Sequence, residues 1–214
     1  MTFPRWRQSL ARSLHVQRSK PEAKFFQAAN AYMPGDSCDI SDIIVENRTM
    51  VFRGFAQSSH TLLAISDSRS EKFSQWQQSP RTQLCWYFTK TREQFRISAQ
   101  VSMVGSTGLL FQDEHADADV NQGCSQNSML TSERAILWAN LSDKAKTQFY
   151  WPTPKQALKD IEINGPPSSD IPDNFILICF HPYYVDYLNL TTTPQTREIH
   201  DISDKKWIYQ DVNP

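Results

Sequence analysis

The sequence has no excess of charge of either sign, no long apolar run and no paired cysteines. Lys plus Arg number 22 and Asp plus Glu 23, for a net charge of -1 at pH 7. A chain so balanced carries no electrostatic footprint for nucleic acid. Mean hydropathy is -0.54, and no stretch approaches the roughly 18 apolar residues of a membrane helix. Cys38, Cys85, Cys124 and Cys179 lie far apart without a CxxC pair. With no secretory leader they are expected as free thiols in a reducing, cytoplasmic setting. On the same ground the sequons at Asn47, Asn140 and Asn189 are read as chance matches. The five histidines show no HxxH spacing, so no protein-built metal site is expected.

What is present fits one large domain over residues 1–214, with no internal repeat and no clear boundary. Six Trp, seven Tyr and twelve Phe suit an all-β core or a site for a planar ligand. The first twenty residues hold Arg5, Arg7, Arg12, Arg18 and Lys20 and no acid. An organelle transit peptide has similar composition. The reading adopted is an N-terminal helix that lays Trp6 and Leu10 on a barrel, with Leu14 on the same face, and stops at Pro21.

From Phe25 the period changes to that of strands. "KFFQAANAY" is a strand, "MPGD" a turn, and "DIIVENRTMVFRGF" one or two strands with a tight turn near Glu46-Asn47. "HTLLAIS" is a short apolar strand, and "RSEKFSQWQQSP" a helix carrying Phe73 and Trp76 on one face. "TQLCWYFT" and "EQFRISAQVSMV" form a hairpin. Gln112 to Gln126 reads as a polar surface loop, and "SERAILWANLSDKAKTQF" as a helix broken at Trp151-Pro152. "GPPSSDIPD" is a loose connection, followed by the strands "NFILICFHPYYVDYLNL" and "KKWIYQDVNP". The fold class is therefore mainly β with a few helices: a barrel with helical decoration.

Two segments carry chemistry. "RTMVFRGF" brackets an apolar strand with Arg48 and Arg53, and a buried guanidinium must find an anion. In "AISDSRSEKF" a strand ends at Ser66 and leads through small hydroxyl residues into a helix. That places hydroxyls, backbone N–H groups and Lys72 around one anion, with an ordinary helix cap by Ser68 or Ser70 as the plain alternative. The glycines of a Walker loop or a dinucleotide fingerprint are absent, which disfavours a nucleoside triphosphate. Gln94 adds an amide able to donate and accept at a flavin edge, Met50 and Val51 offer ring-burying surface, and a phosphate suits the cations.

"RTMVFRGF", "SDSRSEK" and "CWYFTKTREQFRI", in this order and spacing, resemble the FMN-binding split-barrel flavoproteins related to pyridoxamine 5'-phosphate oxidase. "WRQSL" and "QFYWP" are similar to segments of the shorter cyanobacterial and plant branch. The resemblance implies a split β-barrel homodimer with FMN at the dimer interface and a small, phosphorylated substrate. It assigns FMN contacts to the strand Arg48–Arg53, including Met50 and Val51, with Arg48 on the phosphate side. Ile65 and Ser66 match a flavin-contacting pair, Ser70 and Lys72 fall at the phosphate, and Gln94 matches the glutamine on the isoalloxazine. Arg53, Arg134, Arg197 and His200 are the implied substrate residues. Three departures accompany the likeness. Glu71 stands where a basic residue is usual and is expected to turn outward to Arg69 or another base. His200 sits one residue late in "REIHD", and Ile202 replaces an arginine. Pyridoxamine 5'-phosphate oxidation is accordingly expected to be slow or absent. Two alternatives to an FMN oxidoreductase are a flavin-binding or sensing module without turnover and a split barrel holding haem or a deazaflavin. Haem would need a ligand such as His60, His115 or His181.

Overall fold

Alternation along the strands decides what the barrel keeps inside. The computed structural model describes residues 3–35, 39–57, 59–111, 123–157 and 170–214. Its strands are β1 (Phe25–Tyr32), β2 (Ile44–Val51), β3 (Gly54–Phe55), β4 (Leu62–Asp67), β5 (Arg81–Phe88), β6 (Glu93–Gly105), β7 (Gly108–Phe111), β8 (Phe175–Asn189), β9 (Thr196–Ser203) and β10 (Lys206–Val212). They join in the order β10-β9-β8-β6-β5-β1-β2, with β4 on β8, β3 on β4 and β7 on β6, every pairing antiparallel. The long strand β8 serves two partners on one edge. From Phe175 to Phe180 it pairs with β4, and from Tyr184 to Asn189 with β9. This is the β-rich barrel with helical decoration that the sequence leads one to expect.

The inward residues Phe26, Ala28, Leu84, Trp86, Phe95, Ile97 and Phe180 form the main core. Trp86 lies 5.3 Å from Phe26 and 5.2 Å from Phe52, ring centre to ring centre, and its indole N–H donates to the Ala23 carbonyl at 2.9 Å. Helix α1 (Arg5–Val16) seats Trp6 and Leu10 on the barrel, both fully buried, as their spacing predicts. Its polar anchor is Glu93, 1% exposed, which accepts hydrogen bonds from Ser13, Arg12 and Tyr187. Burial alone would raise the Glu93 pKa, but these donors outweigh it and the net direction is down. Helix α2 (Glu71–Gln78) closes one end of the barrel, with Trp76 5.7 Å from Phe180. Helix α3 (Gly123–Ala139) covers Leu63, Leu177 and Cys179 through Leu130 and Leu137. Helix α4 (Asp143–Thr147) leads into a 3-10 turn whose Phe149 joins Trp138, Leu141 and Phe175.

The structure corrects several expected boundaries. No turn interrupts β2 at Glu46-Asn47, because the ladder to β1 continues through Asn30↔Glu46 and Ala29↔Asn47. The single helix expected over "SERAILWANLSDKAKTQF" is two, since the Ser142 hydroxyl accepts from the Ala145 N–H and starts α4 afresh. Helix α3 begins at Gly123, inside the expected surface loop. The rest of that loop (112–122) and residues 165–169 of the Pro-rich connection lie outside the described residues. Strands β7 and β9 were not anticipated.

Two histidines are neutral in this fold. His181 holds Thr61 Oγ1 at 3.1 Å and Ser102 Oγ at 2.7 Å, one through each ring nitrogen, and burial pushes its pKa down to about 4. His200 is likewise pushed down to about 4, by burial and then by the Arg5 charge. An unfolded histidine titrates near 6.5, so between pH 6.5 and 4 the unfolded state binds more protons than the folded one. Stability from this source is complete above pH 6.5 and falls as pH drops toward 4. The unfolding free energy from urea titrations is expected to decline across that window, by at most about 3 kcal/mol per histidine, with the urea midpoint falling alongside, and His181→Gln should flatten part of the slope. A midpoint that does not change between pH 7 and 4.5 would contradict this account.

Candidate functional site

The site grows from the junction of β4 and α2. The Asp67 carbonyl accepts from the Ser70 N–H at 3.1 Å and the Ser70 hydroxyl at 2.6 Å, which folds the chain into the helix start. Ser70 occupies the N-cap position, but its hydroxyl makes no cap bond and instead accepts from Lys72 Nζ at 3.1 Å. The N–H groups of Glu71 and Lys72 have no intrahelical acceptor and lie at the positive end of the helix dipole, while the Phe73 N–H donates to the Ser70 carbonyl at 2.9 Å. Lys72 is half-buried, and among the described residues no carboxylate lies in ion-pair contact with it. Burial lowers its pKa first and the nearby Arg48 charge second, with Asp67 opposing both.

The carboxylates around Lys72 have other cations. Asp67 accepts from Arg69 through Nε at 3.0 Å, Nη2 at 2.6 Å and the backbone N–H at 2.8 Å, and from Asn174 Nδ2 at 2.9 Å. Arg69 extends its remaining donors to the carbonyls of Trp151 (2.8 Å) and Phe149 (3.2 Å). Glu71 turns outward as expected, and its partner is Lys155, at the surface.

Arg48 enters between the barrel mouth and α2. It donates to Asn30 Oδ1, to Gln75 Oε1 at 2.7 Å and to Glu46 Oε2 at 3.3 Å, and lies 5.3 Å from the centre of the Trp76 ring. Within the chain its anion is thus Glu46, a side chain 37% exposed. Burial lowers the Arg48 pKa, with Glu46 opposing. Arg53 comes just before Gly54, whose φ of +133° only glycine adopts readily. The Arg53 N–H donates to the Leu63 carbonyl at 2.8 Å, while its exposed side chain has no carboxylate partner among the described residues. A half-buried ammonium, a hydroxyl, free helix N–H groups and a neighbouring guanidinium together suit a phosphate.

Other predicted residues go elsewhere. Met50 and Ser66 are buried, Met50 in the main core, and Ile65 packs toward the Trp138 and Phe175 cluster. Val51 lies on the face of β2 opposite Arg48. Gln94 sits on the outer face of the sheet, its Nε2 3.5 Å from Cys85 Sγ. The register Arg48↔Ala28↔Leu84↔Ile97 puts Arg48 on the side of Ile97, and Gln94, three residues earlier, on the other. One subunit therefore does not bring Arg48 and Gln94 together.

The four expected substrate residues do not converge within one chain either. Arg134 donates to the carbonyls of Phe175 (2.9 Å) and Pro172 (3.1 Å) and so fixes the start of β8. Arg197 clasps Asp186 at 2.9 and 2.6 Å, and Arg96 joins the same carboxylate. His200, three residues along β9, faces the opposite way, 3.0 Å from Glu198 and stacked on Tyr209. Among the haem candidates, both ring nitrogens of His181 are engaged, His60 is ringed by Phe3, Trp6 and Trp207, and His115 lies outside the described residues. The sequence reading did not find Glu46, Gln75, Asp67, Arg69 or Asn174. Glu46 was within reach of it, being two residues from Arg48 on one strand.

Known proteins match this chain along its whole length. The family description "Pyridoxamine 5'-phosphate oxidase, FMN-binding domain" matches residues 3–105, which include β2, β4, α2 and Gln94. The chain is 26% identical over 218 residues to "Pyridoxine/pyridoxamine 5'-phosphate oxidase 2" of Arabidopsis thaliana, covering 98% of this chain and 96% of that protein. A crystal structure of a pyridoxamine 5'-phosphate oxidase-related, FMN binding protein from Nostoc punctiforme superposes with a TM-score of 0.81 at 33% identity, covering 100% of both chains. PhzG from Burkholderia lata, solved with tetrahydrophenazine-1-carboxylic acid, shares the fold at a TM-score of 0.67 and 15% identity over 100% of this chain and 98% of its own. With the whole chain matched and the fold shared, this protein belongs to the pyridoxamine 5'-phosphate oxidase-related family of FMN-binding split-barrel proteins.

Proposed function

We propose that the chain binds FMN, with the flavin phosphate on Lys72, Ser70, the first N–H groups of α2 and Arg48, and that it works as an FMN-dependent oxidoreductase. The observation that carries this reading is the half-buried Lys72 ammonium, which has no carboxylate partner among the described residues, set in the family's FMN-binding domain. FMN when bound supplies the hydride chemistry. The chain's own residues hold the phosphate, bury the ring and place an amide at its edge. Because Arg48 and Gln94 face opposite sides of one sheet, Gln94 reaches the flavin from a second subunit, and the working unit is a homodimer. Arg53, exposed and without a carboxylate partner among the described residues, is the residue best placed to meet an anionic substrate group. The free thiols of Cys85 and Cys179 fit a cytoplasmic setting. A second reading, flavin binding without turnover, is favoured by one observation: Asp186 already engages Arg197, and His200 is turned the other way.

The protein should purify yellow and release FMN on heating. Lys72→Ala and Arg48→Ala should each weaken FMN by roughly 10- to 100-fold, the worth of one charge-assisted hydrogen bond, with a much smaller effect on riboflavin. Equal binding of FMN by parent and variants in a fluorescence titration would overturn the phosphate assignment.

Light scattering of the FMN form should give the mass of two chains. A well-folded monomer with FMN bound would exclude the shared site.

With pyridoxamine 5'-phosphate, anaerobic mixing is expected to bleach the flavin slowly or not at all. Rapid bleaching, with recovery on adding oxygen and pyridoxal 5'-phosphate as product, would show that Arg197 leaves Asp186 to take the substrate.

A further inference from the structure

The turn from β4 into α2 holds a carboxylate and an ammonium that do not pair. Asp67 is close enough for its charge to act on Lys72, yet Lys72 Nζ bonds to Ser70 Oγ, while both Asp67 oxygens face Arg69 and Asn174. Arg69 cannot easily leave this arrangement. Its guanidinium is tied at the same time to the carbonyls of Trp151 and Phe149, and Asn174 Nδ2 reaches both Asp67 Oδ2 and the Phe149 carbonyl, at 2.9 and 3.0 Å. The segment after α4 thus holds Arg69, and Arg69 holds Asp67.

We propose that Arg69 is a positioning residue for the flavin phosphate: by keeping the Asp67 carboxylate turned away, it leaves the Lys72 ammonium free for the phosphate. The inference rests on the phosphate reading above and adds to it a residue that touches no flavin. Released from Arg69, the carboxylate would pair with Lys72 and set a negative charge beside the phosphate, so attraction would be lost and repulsion added. The outward Glu71–Lys155 pair acts in the same sense but at the surface, with side chains 53% and 69% exposed, where an ion pair contributes little. Arg69, more buried and fixed at three acceptor groups, carries the effect.

The test is titration of the flavin-stripped protein with FMN and with riboflavin, followed by flavin fluorescence, in Lys72→Ala, Arg69→Gln, Asp67→Asn and the Asp67→Asn/Arg69→Gln double variant. Arg69→Gln should weaken FMN by about tenfold or more and riboflavin by less than about threefold, the first being one charge-assisted contact. The double variant, lacking the misplaced charge, should recover FMN affinity to within about threefold of the parent, a cycle that isolates the coupling of the two residues. Equal weakening of FMN and riboflavin, or a double variant as weak as Arg69→Gln, would overturn the inference. If Arg69→Gln fails to fold, Asp67→Asn decides alone. With one negative charge fewer near Lys72 it should bind FMN at least as tightly as the parent, and weaker binding in a variant that melts at the parent's temperature counts against the proposal. Lys72→Ala separates the two layers of argument. If it binds FMN like the parent, the phosphate reading has failed and takes this inference with it. If it binds weakly while the Asp67 and Arg69 variants show no such pattern, only the inference falls.

Discussion

The antiparallel ladder between β6 and β8 is the constraint on which the rest of the structure depends. It runs from Glu93↔Asn189 to Val104↔Leu177, with a register shift between Ser98 and Ala99. These strands lie far apart in sequence, so their pairing closes a long loop and must recover that entropy by burying apolar surface. It does so by turning Phe95, Ile97, Val101, Phe180 and Val185 into one core. Once the ladder is set, β4 and β9 have only one free edge of β8 to share, and the hairpin partner β5 has only the far edge of β6. The position of α2, and with it the proposed phosphate cradle, follows from where β4 then ends.

Carboxylates held by several donors at once are the second organising element. Glu93, Asp186 and Asp67 each accept from at least two side-chain donors on separate segments. Each therefore acts as a clamp between elements: Glu93 between α1 and the β6–β8 ladder, Asp186 among β6, β8 and β9, and Asp67 between the α2 turn and the chain before β8. Removing one donor from such a group leaves its charge less well compensated than before and loosens the elements it joins. Half-buried Lys72 contrasts with these clamps, since among the described residues no carboxylate pairs with it.

How much of this was legible depended on how local the cause was. The Trp6–Leu10 face of α1, the hairpin of β5 and β6 and the helix through Phe73 and Trp76 follow from period and turn residues within a short window, and all three stand. The cradle was legible as a set of types in order: a strand ending at Ser66, hydroxyls, then Lys72. Its electrostatics were not. Arg48 meets Gln75 and Glu46, and Asp67 meets an asparagine more than a hundred residues later. Such partners follow from the ladder register, which no local pattern reports. Asn47 was misread because asparagine favours turns, whereas here tertiary pairing with Ala29 keeps it in the strand. "REIHD" conceals β9 because its buried residues are Glu198 and His200, polar groups that satisfy each other inside, so the apolar alternation that marks a strand is missing.

Helix α1 and the hairpin of β9 and β10 brace each other across the barrel. Trp6 lies 5.4 Å from Trp207, Arg5 donates to Tyr209 at 3.1 Å, and Arg5 pairs with Glu198 at 3.0 Å. Opening the hairpin bares a tryptophan face and removes both Arg5 acceptors at once. The helix and these two strands therefore form one cooperative unit, whose amides exchange with solvent together.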